Sequence, residues 1–228
     1  MTVRAVLFDV FGTLLDVQAR ATRADQLFPG NGARLSRLWR EKQLEYMYLR
    51  SLAGRYVPFT QLNEDALVYA CEALQLPLDA AARGLLMHEY TQLPAFADVV
   101  PTLRRLQHMD LTVGVLSNGD PGLLEDVMHS AQLDEFIDVV LSADQVRAFK
   151  TAPAVYALGP DTLGCPPAAI LFVSAKSWDA ACATWHGYTT CWVNRCGAPL
   201  ERLGVSPHII GRTLEVAADF VYRQQQLA

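Results

Sequence analysis

The chain has 228 residues, 51% hydrophobic and 19% charged, enough for one large domain or a core carrying an inserted subdomain. Its formal net charge of −5 argues against a nucleic-acid surface, which needs clustered Lys and Arg. The first apolar run is about six residues long, too short for a signal peptide or a membrane span, so a cytoplasmic location is expected, with no membrane partner.

That first run, residues 3–9, reads as a buried strand ending on the carboxylate Asp9, with the turn residue Gly12 beyond it. From about Val17 to Pro94 no strand is convincing. The segment reads instead as helices over 35–52, 59–76 and 80–93, with Leu35, Leu38, Leu44, Met47 and Tyr48 near helical spacing on one face. It is expected to be a helical cap (17–94) inserted into a core made of 1–16 and 95–228.

Strand-like runs follow at 111–117, 136–141, 169–174 and 189–193, with a short edge candidate at 208–210. Helices are expected at 121–131 and 153–163, where Pro121 and Pro153 suit the first helical turn, and at 177–185 and 213–225. Alternating strands and helices imply an α/β fold, a Rossmann-like three-layer core with a mostly parallel sheet. The five cysteines are odd in number and lack a C-x-x-C pair, and the five histidines lack an H-E-x-x-H pattern, so no zinc site or disulfide framework is indicated.

In open parallel sheets ligands bind at the carboxyl ends of the strands. This chain places Asp9 and Thr13 there after the first strand, Ser117 and Asn118 after the second, and Ser174 and Asp179 after the fourth, with Lys150 on the loop before the Pro153 helix. A nucleophilic carboxylate, a hydroxyl–amide pair, a lysine and a second carboxylate thus converge on one crevice.

Asp9-Val10-Phe11-Gly12-Thr13-Leu14, Leu116-Ser117-Asn118, Lys150, and Phe172-Val173-Ser174 with Asp179 resemble, in order, the four motifs of the haloacid dehalogenase superfamily. Most members of that superfamily are magnesium-dependent phosphatases, with a proton-donating aspartate two residues after the nucleophile and a metal-binding acid at the end of the fourth strand. Here those positions are Phe11 and Ser174, which weakens a hard-cation site, so no metal and no cofactor is expected. Phe11, Arg40 within Leu38–Leu44, and Ser174 with Trp178-Asp179 are similar to the L-2-haloacid dehalogenases.

That resemblance implies the following roles. Asp9 attacks C2 of a small 2-haloacid and expels halide, and water then hydrolyses the Asp9 ester. Lys150 keeps Asp9 ionised. Ser117, with backbone amides around Phe11 and Gly12, holds the substrate carboxylate, while Arg40 and Asn118 cradle the halide. Asp179 positions or deprotonates the water, aided by Thr13 and Ser174, and Tyr156 bonds near Asp9 or Lys150. Phe11, Leu44, Phe59 and Trp178 either wall an apolar pocket or simply pack the core. A homodimer is also implied.

Two residues depart from the resemblance. Lys176 stands where Asn is usual and Glu41 where Gln is usual. Their opposite charges suggest a pair across the cap–core cleft. Alternatively, Glu41 holds the ammonium of a strained cyclic amino acid whose ring is opened. A phosphatase is the more distant alternative.

Overall fold

Short runs of β-branched and large apolar residues build the sheet. In the computed structural model, which describes residues 2–226, the strands are β1 Ala5–Phe8, β2 Thr112–Ser117, β3 Val139–Ser142, β4 Ile170–Ser174, β5 Thr189–Val193 and β6 Ile209–Gly211. Met1, Leu227 and Ala228, assigned to the core from sequence, lie outside the described residues. Every pairing is parallel, in the order β3-β2-β1-β4-β5-β6. β1 and β4 are buried at every position rather than alternately, because helices cover both faces of the sheet.

One face carries Val6, Phe8, Val113, Val115, Leu171 and Val173 against helices α5 (Val99–Gln107), α6 (Pro121–Ser130) and α9 (Glu215–Gln226). The other carries Leu7, Leu116, Leu141 and Phe172 against α7 (Pro153–Leu163) and α8 (Ser177–Trp185). The chain runs from β1 to β2 on one side and later to β4 on the other side of β1. The strand order therefore reverses beside β1, where open α/β sheets form their ligand crevice.

Between β1 and α5 lie four helices: α1 Arg20–Leu27, α2 Gly32–Leu52, α3 Phe59–Ala73 and α4 Ala80–Glu89. Their entry and exit are tied together, since Leu15 bridges Ala95, Asp16 N–H donates to Pro94 O at 2.8 Å and Phe96 N–H donates to Leu14 O at 3.0 Å. Of the apolar face read from sequence, Leu35 and Met47 are buried and Leu38, Leu44 and Tyr48 half-buried, while Trp39 on α2 and Leu62, Ala66 and Ala70 on α3 are buried beside them. None of the described helices is long and apolar enough to cross a membrane.

The structure differs from the sequence reading in several places: the helices read over 59–76 and 80–93 end at Ala73 and Glu89. The third strand begins at Val139 because residues Asp134–Phe136 form a 3-10 turn that buries Phe136. Helix α5 buries Val99, Leu103 and Leu106, a helical spacing present in the sequence but not read as a helix. Helix α1 buries only Arg20 and Ala24, too narrow a stripe to stand out.

Gly114 is a point of close approach between β2 and β3. A Cβ there would lie 2.7 Å from Val139 O and 3.0 Å from a Leu7 methyl. Gly114→Ala should cost about 1–3 kcal/mol through overpacking. The expected signature is a lower urea midpoint at unchanged slope; an unchanged midpoint would show that β2 and β3 can separate freely.

Candidate active site

The chain leaves β1 through a tight turn. Asp9 N–H still bonds Val173 O at 2.9 Å, which holds the residue at the end of the central strand. Gly12 follows with φ +89°, a backbone conformation that only glycine adopts without strain. Its N–H closes the turn on Leu15 O at 2.7 Å. The turn folds Thr13 back so that its Oγ1 donates to Asp9 Oδ2 at 2.7 Å and accepts from Ala175 N–H at 2.9 Å.

Lys150 arrives from the loop before α7. Asn118 Oδ1 accepts its backbone N–H at 2.8 Å. Its Nζ lies 3.2 Å from Asp9 Oδ1 and 3.0 Å from Asp179 Oδ2, with 1% of the side chain exposed. Asp179 sits in the first turn of α8, and its Oδ1 accepts from Tyr156 Oη at 2.7 Å. Lys176, just ahead of α8, completes the set. Its Nζ donates to Asp9 Oδ2 at 2.5 Å and also to Phe11 O.

These contacts set the protonation states. Burial works against ionising Asp9, but Lys150, Lys176 and the hydrogen bonds from Lys176 and Thr13 together outweigh it, holding the carboxyl well below the usual range. Burial likewise opposes a charged Lys150, yet Asp179 and Asp9 raise its pKa above the ordinary lysine value. For Lys176 the balance reverses. Burial, aided by Arg40, wins over Asp9 and lowers its pKa. Burial and Asp179 push Tyr156 well up, so its hydroxyl remains a donor.

Above Asp9 lies a cavity of about 20 Å³, room for roughly one water, lined by Asp9, Phe11, Arg40, Met47, Phe59, Ser117, Asn118, Lys176 and Trp178. Phe11, Arg40, Lys176 and Trp178 also line a larger outer cleft of about 550 Å³, with Gly12, Leu44 and Trp192 among its walls. These four side chains separate the inner chamber from the outer one. Phe11 stacks on Phe59 with centroids 5.5 Å apart, and Trp178 packs edge-on to Tyr48.

The structure places some expected residues differently. Glu41 is exposed, lines neither cavity and makes no ion pair with Lys176, so the cleft-spanning pair does not form. Arg40 and Leu44, four residues apart on α2, face the cleft together, whereas Glu41 is turned about 100° around the helix from Arg40. Asp179, Thr13 and Ser174 are buried and line neither chamber. Both oxygens of Asp179 are occupied, and Ser174 Oγ accepts Lys176 N–H at 3.1 Å. Tyr156 reaches Asp179 rather than Asp9 or Lys150.

Three contributors were not recognised from sequence. Met47 lines the inner chamber, and its sulfur accepts from Asn118 Nδ2 at 3.3 Å. Buried Gln43 accepts from Arg40 and donates to Asn63 Oδ1 at 2.5 Å and to Tyr90 Oη at 3.1 Å. Gln43 and Met47 follow Arg40 by three and seven residues, a helix-face spacing that would have found them. Tyr90, beyond α4, carries no such signal.

The donor set does not suit a hard cation, which wants several oxygen ligands. Two ammonium groups already crowd Asp9, and Phe11 and Ser174 supply no carboxylate. Among the described residues no group of three or more His, Cys, Asp or Glu is arranged to hold a metal ion.

Because the Asp9 pKa is depressed in the fold, its stabilising contribution is complete above the unfolded Asp value of about 3.9 and is lost as pH falls through the lower folded value. Lys150→Met, which strips one partner from two buried carboxylates, should cost about 3–5 kcal/mol and shift this acid sensitivity to higher pH. Unfolding free energies measured against pH for both proteins test this; coincident acid limbs would show that Lys150 does not set the ionisation of Asp9.

The comparisons with known proteins point the same way. The sequence profile of the haloacid dehalogenase-like hydrolases matches residues 3–187. An (S)-2-haloacid dehalogenase of Pseudomonas sp. strain YL is 44% identical over 205 residues, covering 90% of this chain and 88% of the relative. The haloacetate dehalogenase H-2 of Moraxella sp. strain B is 37% identical, covering 90% and 92%. Among solved structures, the L-2-haloacid dehalogenase RSc1362 superposes with a TM-score of 0.95 at 51% identity, covering 97% of this chain and 100% of its own. The L-2-haloacid dehalogenase of Xanthobacter autotrophicus with chloropropionic acid covalently bound gives 0.91 at 32% identity, covering 97% and 99%. With its ion-paired Asp9 at the sheet's switch point and these similarities along nearly its whole length, the chain belongs to the haloacid dehalogenase-like hydrolases, in the L-2-haloacid dehalogenase group.

Proposed function

We propose that this protein hydrolyses small (S)-2-haloalkanoic acids to (R)-2-hydroxy acids through an ester on Asp9. The observation that carries the reading is the ionised Asp9 carboxylate facing a small chamber whose other walls are apolar rings and anion-binding groups. In that chamber Phe11, Phe59 and Trp178 exclude water from C2. Gly119 N–H donates to Ser117 Oγ at 3.2 Å, which leaves the Ser117 hydroxyl proton for the substrate carboxylate. Arg40 and Asn118 face the leaving halide. Asn118 Nδ2 now rests on the Met47 sulfur, a weak acceptor that a halide replaces at little cost.

Displacement at carbon suits this site better than phosphoryl transfer, since Phe11 cannot protonate a leaving oxygen. Ring opening of a cyclic amino acid loses its support, because the Glu41 carboxylate that was to hold the ammonium is turned to solvent. Residues 17–94 serve as the cap that brings Arg40 over Asp9, and the protein acts in the cytoplasm. It works as a homodimer; exposed Leu49 and Leu52 on α2 and Tyr69 on α3 offer an apolar face for the second copy, and sedimentation would report the assembly.

Asp9→Asn should abolish turnover, because a neutral amide is a far weaker nucleophile. In ¹⁸O-water, single-turnover label should enter the Asp9 carboxylate of the wild type; label found only in the hydroxy acid would mean direct attack by water. (S)-2-Chloropropionate should give (R)-lactate by one inversion at C2, at a rate unchanged by EDTA. Equal consumption of both enantiomers, or activity restored by Mg²⁺ after EDTA, would overturn the assignment.

A further inference from the structure

We infer that Lys176 is the general base for hydrolysis of the Asp9 ester, and that formation of the ester is what releases it to act. The inference rests on the dehalogenase reading above.

A base for this step must reach the water that attacks the Asp9 carbonyl carbon. Asp179 is badly placed for it. Lys150 holds its Oδ2 at 3.0 Å, Tyr156 its Oδ1 at 2.7 Å, and it lines neither chamber. Lys150 is sealed in, with 1% of its side chain exposed. Lys176 differs from both. Its Nζ sits 2.5 Å from Asp9 Oδ2, its side chain keeps 16% exposure, and it lines both the inner chamber and the outer cleft. It can meet the attacking water and exchange a proton with solvent.

In the resting protein the ammonium is paired with Asp9 and is no base. Attack of Asp9 on C2 breaks the carbon–halogen bond and converts the carboxylate into a neutral ester. Lys176 then faces that ester, the Phe11 carbonyl and, from α2, the Arg40 cation. From α8 it faces Asp179, whose charge Lys150 already offsets. Across the outer cleft stand Asp16 and Arg195, the latter held by Asp98 at 2.8 and 3.0 Å. A buried ammonium that has lost its contacting anion and keeps a cationic neighbour favours the neutral amine, and burial already lowers the pKa of this lysine.

The proton leaves when the halide does, which accounts for the one proton that the net reaction liberates. The neutral amine then takes a proton from water as the water oxygen bonds to the Asp9 carbonyl carbon. Collapse breaks the bond from that carbon to the oxygen borne by C2, and the departing alkoxide takes the remaining hydroxyl proton from Asp9. Ammonium and carboxylate are left as the ion pair seen at the start.

The test is rapid-quench single turnover with (S)-2-chloropropionate, following halide, hydroxy acid and the mass of the Asp9 peptide. In the wild type, Asp9 stays ionised in acid while Lys176 becomes harder to deprotonate. Ester decay should therefore slow about tenfold per pH unit below the amine's pKa, and the ester should accumulate at acidic pH. Lys176→Arg keeps the cation but cannot release its proton at neutral pH; its ester should decay about 10²–10⁴-fold more slowly and stand near one per site. Lys176→Asn should lose the acid limb of ester decay. The inference is overturned by wild type that accumulates no ester in acid, a result that needs no variant, by Lys176→Arg clearing its ester at the wild-type rate, or by an unchanged acid limb in Lys176→Asn. If the wild type forms no Asp9 ester and releases no halide at any pH, the dehalogenase reading falls and this inference with it, an outcome told apart by the missing ester.

Discussion

The buried chain of charge running Lys176–Asp9–Lys150–Asp179, closed by Tyr156, is the constraint around which the rest of the site is arranged. Two carboxylates and two ammonium groups balance formally, and burying any one of them alone would cost several kcal/mol. The members come from the turn after β1, the loop before α7, the entry to α8 and α7 itself. The charge chain therefore exists only when the strands β1 and β4 and these helices are assembled together. It also explains why Asp9 is ionised in a nearly dry chamber, since the ammonium groups more than offset the penalty of burial.

Around that chain the helical segment adds Arg40, Met47 and Phe59 to the walls of the inner chamber. Arg40 is held by Gln43, and Gln43 by Asn63 and Tyr90. Trp39 Nε1 donates to Asn63 O at 2.8 Å, and the Arg20 guanidinium lies 4.5 Å from the Trp39 ring centroid and 5.2 Å from that of Tyr90. An arginine is weakly hydrated enough to be buried on aromatic faces. Arg40 is thus fixed through hydrogen bonds rooted in α2, α3 and Tyr90 just past α4 rather than left to sample solvent, a preorganised cation that would suit a developing anion.

Two chambers meet at this site. The inner one has the volume of about one water, while the outer cleft is far larger and shares Phe11, Arg40, Lys176 and Trp178 with it. Both the nucleophile's ion pair and the passage between chambers thus involve Lys176. A neutral side chain at this position would add no charge beside Asp9, whereas the ammonium pairs with it directly.

The parallel α/β core, the position of Asp9 at a strand end and the convergence of Ser117, Asn118, Lys150, Ser174 and Asp179 were legible in the sequence. Strands buried on both faces are continuous apolar runs, and the residues that follow them must fall at one edge of the sheet. Helix α5 was legible and went unread, whereas α1 was not, because it buries an arginine instead of an apolar stripe. Side-chain direction was beyond the sequence. Whether Lys176 turns to Asp9 or to Glu41, whether Asp179 faces water or is sealed behind Lys150, and whether Tyr90 reaches Gln43 depend on how α2, α4 and α8 are rotated against the sheet. That rotation is decided by packing among residues far apart in the chain, so only the tertiary structure fixed it.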